Sequence, residues 1–87
     1  MIVLIPGLLR SYTAGAETVT LPPHPTLDDA LRDLDARFPG LRFRIIDEQN
    51  SIRPHIKLFV DGALTRQLSA PVAGSAELMI VGALSGG

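Results

Sequence analysis

One segment of this chain has the pattern of an amphipathic helix, and its apolar face must be covered by another part of the fold. The segment TLDDALRDLDARFPG (26–40) begins with Thr26 as the N-cap and carries Asp29 at capping-box spacing. Pro39-Gly40 ends the segment. The apolar residues recur at the spacing of one helix face and are Leu27, Ala30, Leu31, Leu34 and Phe38. A β-sheet is the surface available to cover them.

Four other segments have strand patterns. Residues 1–5 are continuously apolar and β-branched, residues 16–21 alternate, and residues 55–60 and 77–81 carry apolar side chains on both faces. Asp61-Gly62 is a tight-turn dipeptide that leads into a minor strand.

The order of elements predicts an α+β fold of the β-grasp, or ubiquitin-like, type. In this layout a mixed four- to five-stranded sheet packs on one main helix. We expect a single domain over residues 1–87, with an extended Gly-Gly tail from about residue 82. The segment LRFRII (41–46) is compatible with a short strand or a helical turn, and residues 47–54 are predicted to form a mobile loop.

Composition excludes several classes of function. The formal net charge is −1 with no basic stripe, so nucleic acid is not an expected partner. The longest apolar run, MIVLIPGLL, is shorter than the roughly 20 residues that cross a bilayer. The chain has no cysteine, which removes disulfides, thiolate nucleophiles and cysteine-based metal sites. We expect a cytoplasmic protein that has no membrane partner.

The chain offers few groups for catalysis. We expect His24, which lies between prolines, to be an exposed loop residue, and His55 has no partner at metal-ligand spacing. No serine lies in a nucleophile-elbow pattern. The paired acids Asp28-Asp29 and Asp33-Leu34-Asp35 are expected only to solvate the polar face of the helix. These observations predict a protein that is not an enzyme by itself and binds no metal or cofactor.

The sequence ends in Gly86-Gly87, directly behind a predicted strand. Glycine has no Cβ, so this end can enter a channel too narrow for a side chain, and its carbonyl carbon is open to attack. Activation of the carboxylate by ATP would give an acyl-adenylate, which a sulfur donor could convert to a thiocarboxylate. Gly87 is therefore the candidate reactive residue, and Gly86 gives it access.

The whole chain resembles the MoaD/ThiS-type family of ubiquitin-like sulfur carriers. The family includes the small subunit of molybdopterin synthase, the thiamine sulfur carrier and the carrier of cysteine biosynthesis. Four stretches carry the resemblance: IPGLLRSYTAGAETV, TLDDALRDLDARFPGL, HIKLFVDG and LMIVGALSGG. The opening stretch most resembles the cysteine-biosynthesis branch and related molybdopterin-synthase-like carriers. Two features depart from the family pattern: Gly74-Ser75-Ala76 replaces a Gly-Asp turn, and Gly82 stands where many members have proline.

The resemblance implies a thiocarboxylate on Gly87, loaded by an ATP-dependent, E1-like adenylyltransferase. It also implies a sulfur-accepting partner, either a cysteine-synthase-like enzyme or the large subunit of molybdopterin synthase. The pathway that receives the sulfur stays open at this point.

Strand alternation predicts a docking face for such partners. If Leu58 and Ile80 face the helix, a second set of apolar side chains faces outward beside the tail. We expect the partner-binding residues to be Phe59, Met79, Val81, Ile2 and Leu4, together with Leu84 and Ser85 of the tail. Coverage of the same face by a second copy of the chain, as a homodimer, is the alternative.

Two other functions are compatible with the sequence. A ubiquitin-like modifier would join Gly87 to lysines of other proteins. A plain β-grasp interaction domain would bind a partner without using its tail.

Overall fold

The computed structural model describes residues 1–82, which form five strands and two α-helices. The elements are β1 (Ile2–Leu4), β2 (Thr18–Thr20), α1 (Leu27–Arg37), α2 (Leu41–Ile45), β3 (Ile56–Val60), β4 (Ala63–Thr65) and β5 (Glu77–Gly82), with a 3-10 turn at Gly7–Leu9. The α+β prediction is confirmed. The ambiguous segment after α1 is helical, and β5 runs one residue further than its pattern predicts. Within residues 1–82, neither helix has the length and apolar character that crossing a bilayer requires.

The strands form one mixed sheet in the order β2-β1-β5-β3-β4. The two central strands, β1 and β5, pair in parallel with Val3 opposite Leu78, and the other neighbours are antiparallel. A parallel pair needs a long crossover, which is supplied here by everything between the first and last strands. The sheet packs on α1 as a β-grasp fold, and the first and last strands lie at its centre.

One hydrophobic core lies between the sheet and the helices. The apolar stripe of α1 faces it as predicted: Leu27, Ala30, Leu31 and Leu34 are at most 1% exposed, and Phe38 packs at the edge. The sheet contributes the inward side chains of its three middle strands, β1, β5 and β3. These are Val3, Ile56, Leu58, Leu78 and Ile80.

The turn between β3 and β4 is fixed by backbone conformation and by a side chain. Asp61 and Gly62 both have positive φ, 48° and 85°, as a type I′ hairpin turn requires. The Asp61 carboxylate accepts hydrogen bonds from the backbone N–H groups of Ala76 and Glu77, each at 3.0 Å. The turn therefore also holds the start of β5.

The helices α1 and α2 are joined by a sharp turn and by an ion pair. Gly40 has a φ of 95°, and the Asp35 carboxylate accepts from the N–H groups of Gly40 and Arg42 at 3.1 and 3.0 Å. Arg42 Nη2 donates to Asp28 Oδ1 at 2.8 Å. The expectation that Asp28 and Asp35 only solvate the helix is therefore wrong, because both residues connect the two helices.

Loss of the N-cap hydroxyl should destabilise the fold. Thr26 Oγ1 accepts the N–H of Asp29 at 3.2 Å and donates to the Asp29 carboxylate at 2.8 Å. We expect Thr26→Ala to lower the free energy of unfolding by about 1 kcal/mol, measured by urea denaturation. Thr20→Ala, on an exposed edge strand, is the control and should change it by less than about 0.5 kcal/mol. Equal losses in the two variants would contradict the role of the cap.

The Asp28 ion pairs should make stability depend on pH. Burial alone would raise the pKa of Asp28, but hydrogen bonds from Arg42 and Arg32 outweigh it and lower the pKa below 3.8. The native state therefore holds the ionised form more strongly than the unfolded chain does. The stabilisation is complete above that value and is lost as pH falls through the native pKa.

We expect Asp28→Asn to lower the free energy of unfolding by roughly 0.5–1 kcal/mol at pH 7, since the carboxylate is partly solvated. The difference from the parent protein should shrink as the pH is lowered below about 3.8, where Asp28 becomes protonated. Urea titrations at several pH values check this, with the exposed Glu48→Gln as the control. A difference that stays constant with pH would contradict the ion-pair account.

Candidate functional site

The candidate site is the end of the sheet where β5 finishes. Gly82 is opposite Ile56, the first residue of β3, and β1 ends on the same side because it runs parallel to β5. The sequence continues for five residues beyond Gly82. The predicted site residues Leu84, Ser85, Gly86 and Gly87 lie outside the described residues.

The other predicted partner-binding residues share the outward face of the sheet. Met79 of β5 is opposite Leu4 on one side and opposite Phe59 on the other, so these three side chains form a row across the central strands. All three are half-buried. Ile2 and Val81 flank the row and are 48% and 37% exposed. The strand registers therefore bring all five of these residues together.

The sequence analysis missed one member of this row. Leu64 of β4 is opposite Phe59 and is 51% exposed, so it extends the apolar row to the edge of the sheet. Its position in a three-residue strand left too short an alternation to assign its face. Thr18 extends the row at the other edge, opposite Leu4.

Charged residues flank this apolar row. Lys57 is opposite Val81, and Glu77 is opposite Ile2, so the positive residue lies toward the end of β5 and the negative one toward its start. Lys57 is the chain's single lysine and is exposed. The outward face thus combines an apolar centre with a polar rim, as protein interfaces do.

The last described residue is packed closely against the loop after β1. A Cβ built on Gly82 would lie 2.5 Å from Leu8 Cδ2 and 3.4 Å from Ile56 Cδ1. A residue with a side chain at this position would have to displace Leu8. Glycine is therefore the residue that fits this position without a shift of Leu8.

A cleft opens beside this contact. It has a volume of about 380 Å³, and we call it the tail-exit cleft; its lining residues are Leu8, Leu9, Phe43, Arg44, Arg53 and His55. The cleft is formed by the loop after β1, by α2 and by the segment before β3. The sequence analysis missed it because the residues come from three separate segments, although the alternation of arginine with apolar residues in LRFRII was visible.

Hydrogen bonding and aromatic packing hold the arginines of the cleft. Arg53 Nε donates to the carbonyl of Phe43 at 2.7 Å, and the guanidinium carbon lies 4.6 Å from the centroid of the Phe43 ring. Arg44 lies over Tyr12, 5.8 Å from the ring centroid. Such contacts restrain the long side chains while leaving N–H groups free to donate.

The described residues show no catalytic constellation. Across residues 1–82, no group of three His, Cys, Asp or Glu side chains could hold a metal ion. His24 is not an exposed loop residue as predicted: its side chain is 22% exposed, and Nε2 lies 2.7 Å from Asp33 Oδ2. This pair joins the proline-rich loop to α1 on the opposite side of the sheet from the apolar row, so its role is structural.

Comparison with known proteins identifies solved structures of the same fold. The sequence matches no protein-family model and no curated protein. The structure of CysO from Mycobacterium tuberculosis, described as an antigen, is 25% identical with a TM-score of 0.86, covering 95% of this chain and 98% of that one. The BexX/CysO complex of Amycolatopsis orientalis gives 29% identity and a TM-score of 0.86, over 99% and 98% of the two chains.

A third similar structure comes from an archaeon. SAMP1 from Haloferax volcanii is 26% identical with a TM-score of 0.77, covering 99% of this chain and 97% of that one. These proteins are ubiquitin-like β-grasp carriers and modifiers, which confirms the resemblance noted in the sequence.

Adding a side chain at Gly82 should reveal a steric coupling between this position and Leu8. We expect Gly82→Ala to lower the free energy of unfolding by about 1 kcal/mol, because the new methyl group must push Leu8 aside. In a Leu8→Ala background the same substitution should cost close to zero, which a double-mutant cycle by urea denaturation would measure. Gly74→Ala, where an added Cβ meets nothing within 4 Å, is the control. An equal cost of Gly82→Ala in both backgrounds would contradict the coupling.

Proposed function

Because this chain is a ubiquitin-like β-grasp protein of the carrier and modifier type, as CysO and SAMP1 are, we propose that it carries sulfur as a thiocarboxylate on Gly87. In this proposal the chain is a protein co-substrate and has no catalytic site of its own. The similarity to two CysO structures along nearly the whole chain carries the proposal, together with the Gly86-Gly87 sequence at its end.

The proposed chemistry has two steps. The Gly87 carboxylate attacks the α-phosphate of ATP, which releases pyrophosphate and leaves an acyl-adenylate. A hydrosulfide-equivalent donor then attacks the acyl carbon, the C–O bond to AMP breaks, and AMP leaves with its electron pair. The product is a thiocarboxylate that keeps the negative charge, and the proton of the donor passes to solvent. ATP is consumed by the activating enzyme and is not a cofactor of this chain.

Two classes of partner follow from this chemistry. An E1-like adenylyltransferase activates Gly87, and a sulfur-accepting synthase receives the sulfur. The structure of CysO in complex with BexX supports partner binding by a carrier of this kind, and the proposed acceptor is a cysteine-synthase-like enzyme or the large subunit of molybdopterin synthase. The apolar row of Leu4, Met79 and Phe59 is the proposed contact surface, because these side chains lie on the sheet face opposite α1.

Several features of the chain support a role as a carrier of an activated acyl group. The chain has no cysteine and one lysine, so few of its own nucleophiles could capture an acyl-adenylate. That lysine, Lys57, lies in β3 opposite Val81, within the sheet rather than in the tail. The Leu8–Gly82 contact ties the start of the tail to the body of the domain.

A second candidate function is protein modification. The structural similarity to SAMP1, a small archaeal modifier protein, supports it. In that case the activated Gly87 would form an isopeptide bond with a lysine amine of another protein. Both functions need the same activation step, and they differ only in the nucleophile that attacks the acyl carbon.

The proposal predicts a specific change in mass. We expect the purified chain, incubated with ATP, the E1-like adenylyltransferase of its host and a sulfide donor, to gain the mass difference between sulfur and oxygen. Fragmentation should locate the change at Gly87. The Gly87→Val variant should not gain this mass, because a β-branched side chain would block the narrow channel of the adenylyltransferase. Gly74→Ala is the control and should gain it as the parent chain does.

Three results would contradict sulfur carriage. These are a mass change located at another residue, unchanged loading of Gly87→Val, or adenylation followed only by branched peptides in which Gly87 is joined to lysine. The last result would establish the modifier function.

A further inference from the structure

The tail-exit cleft has no role in the proposed chemistry, yet it adjoins the residue where the C-terminal segment begins. Leu8 both lines the cleft and contacts the position of Gly82. His55 directly precedes Ile56, whose register partner is Gly82. An enzyme that takes the C-terminal segment into a channel must place its surface against this end of the sheet. The cleft would then be covered by that enzyme.

We propose that the tail-exit cleft binds an acidic segment, with a neighbouring apolar side chain, on the E1-like adenylyltransferase that activates the C-terminal residue. This inference rests on the proposed function, because it takes the activating enzyme as the occupant. It adds a charged contact near the root of the tail to the apolar contact on the outward sheet face.

The positive charge of the cleft favours an acidic ligand. Within the described part of the chain, the arginines of the helical side, Arg32, Arg37 and Arg42, each form an ion pair with Asp28 or Asp33. Arg44 and Arg53 take part in none of the ion pairs found among residues 1–82. Their positive charges are therefore available to a ligand.

One acidic residue lies close enough to reduce this charge. Backbone hydrogen bonds from Ser51 and Gln49 lower the pKa of Asp47, and the charge of Arg53 contributes less. Asp47 Oδ1 accepts the N–H groups of Gln49 and Ser51 at 2.9 and 3.0 Å, so this oxygen is engaged in its own turn. It screens Arg53 partly and does not form a direct ion pair with it.

The geometry of Arg53 favours a carboxylate as the ligand. Its Nε is committed to the Phe43 carbonyl, and its plane is held near the Phe43 ring. The terminal N–H groups of the guanidinium remain available, and their fork matches a carboxylate. Because the side chain is already restrained, a ligand loses less free energy in ordering it.

The apolar residues at the rim of the cleft indicate which kind of side chain accompanies the carboxylate of the ligand. Phe43 and Leu8 are 52% and 41% exposed, and both lie at the cleft. A volume of about 380 Å³ is near the lower end of the range for ligand sites. It suits a carboxylate side chain together with an aliphatic or aromatic one, which are neighbours in a peptide.

Desolvation of the two arginines requires carboxylates on the surface that covers the cleft. When the activating enzyme covers the cleft, Arg44 and Arg53 lose part of their hydration, and a buried charge without a partner weakens binding strongly. An opposite surface that carries carboxylates compensates for this loss. The same complementarity would also speed the encounter and select against enzymes with neutral or basic surfaces around their channels.

The first test uses a peptide probe and the full chain labelled with ¹⁵N. We expect the capped peptide acetyl-Glu-Leu-Asp-Phe-amide to shift the Nε–H resonances of Arg44 and Arg53 saturably. Its amide analogue, acetyl-Gln-Leu-Asn-Phe-amide, should bind at least about tenfold more weakly. Arg53→Gln should lose the response. Arg32→Gln makes the same change in net charge on an exposed residue of α1 and should retain it.

The second test uses the host adenylyltransferase with the same variants. We expect Arg53→Gln to raise KM about tenfold while kcat changes by less than about twofold, because the contact is made at docking and not in the chemical step. Arg44→Gln should act in the same direction, and Arg32→Gln should leave both constants unchanged. Thermal unfolding of each variant separates these effects from misfolding.

The outcomes separate this inference from the proposed function. Normal KM values for Arg44→Gln and Arg53→Gln, with Gly87 still loaded, would overturn the cleft as a docking site and leave sulfur carriage intact. An equal response to inorganic phosphate would also overturn it, because the cleft would then be a small-anion site. Failure to load Gly87 in the parent chain would reject the proposed function, while the peptide titration would still decide whether the cleft recognises acidic segments.

Discussion

The parallel pairing of β1 with β5 is the constraint on which the rest of the structure depends. Val3 and Leu78 face each other at the centre of the sheet and are both fully buried. The pairing joins the two ends of the described chain, so every intervening element must form a single crossover. Because β1 and β5 point the same way, the loop after β1 and the end of β5 lie at the same edge of the fold.

This arrangement brings the candidate functional features to one end of the sheet without requiring them to be neighbours in sequence. β3 runs antiparallel to β5, so its first residues lie where β5 finishes. The helix α2 follows α1 and supplies Phe43 and Arg44 to the same region. A domain with this topology can thus present an apolar sheet face and a cationic cleft around one exit point.

The arginines of the chain are divided between structure and surface. Arg42 joins the two helices through Asp28, and its side chain is 18% exposed. Its Nε is buried and has no hydrogen-bond partner among the described residues, which the two bonds from its Nη2 offset in part. Arg53, in contrast, uses Nε for a backbone carbonyl and keeps its terminal groups for other contacts. The same residue type therefore fixes the fold at one position and is available for binding at the other.

Local patterns in the sequence predicted the helix and the central strands well, because their signals are contained within each segment. Thr26, Asp29 and the apolar stripe of α1 lie within four turns of one helix, and the structure confirms each of them. The helix α2 has five residues and follows a glycine with positive φ, so neither periodicity nor propensity could distinguish it from a strand.

Long-range contacts account for what the sequence did not indicate. The Arg42–Asp28 pair, the His24–Asp33 pair and the tail-exit cleft join residues from separate segments. Their formation depends on the path of the chain after the helices and strands have packed. The apolar row was predictable because side chains alternate between the two faces of a strand. Once one residue is assigned to the inward face, the faces of all the remaining residues of that strand follow.

The two edge strands of the sheet, β2 and β4, have only three residues each. A strand from a second molecule could form few hydrogen bonds with either border, so edge-to-edge growth into larger sheets gains little free energy. A sheet with an exposed apolar face is thereby protected against one common route of aggregation. Self-association through the broad apolar face would cover the same residues that are proposed to contact a partner.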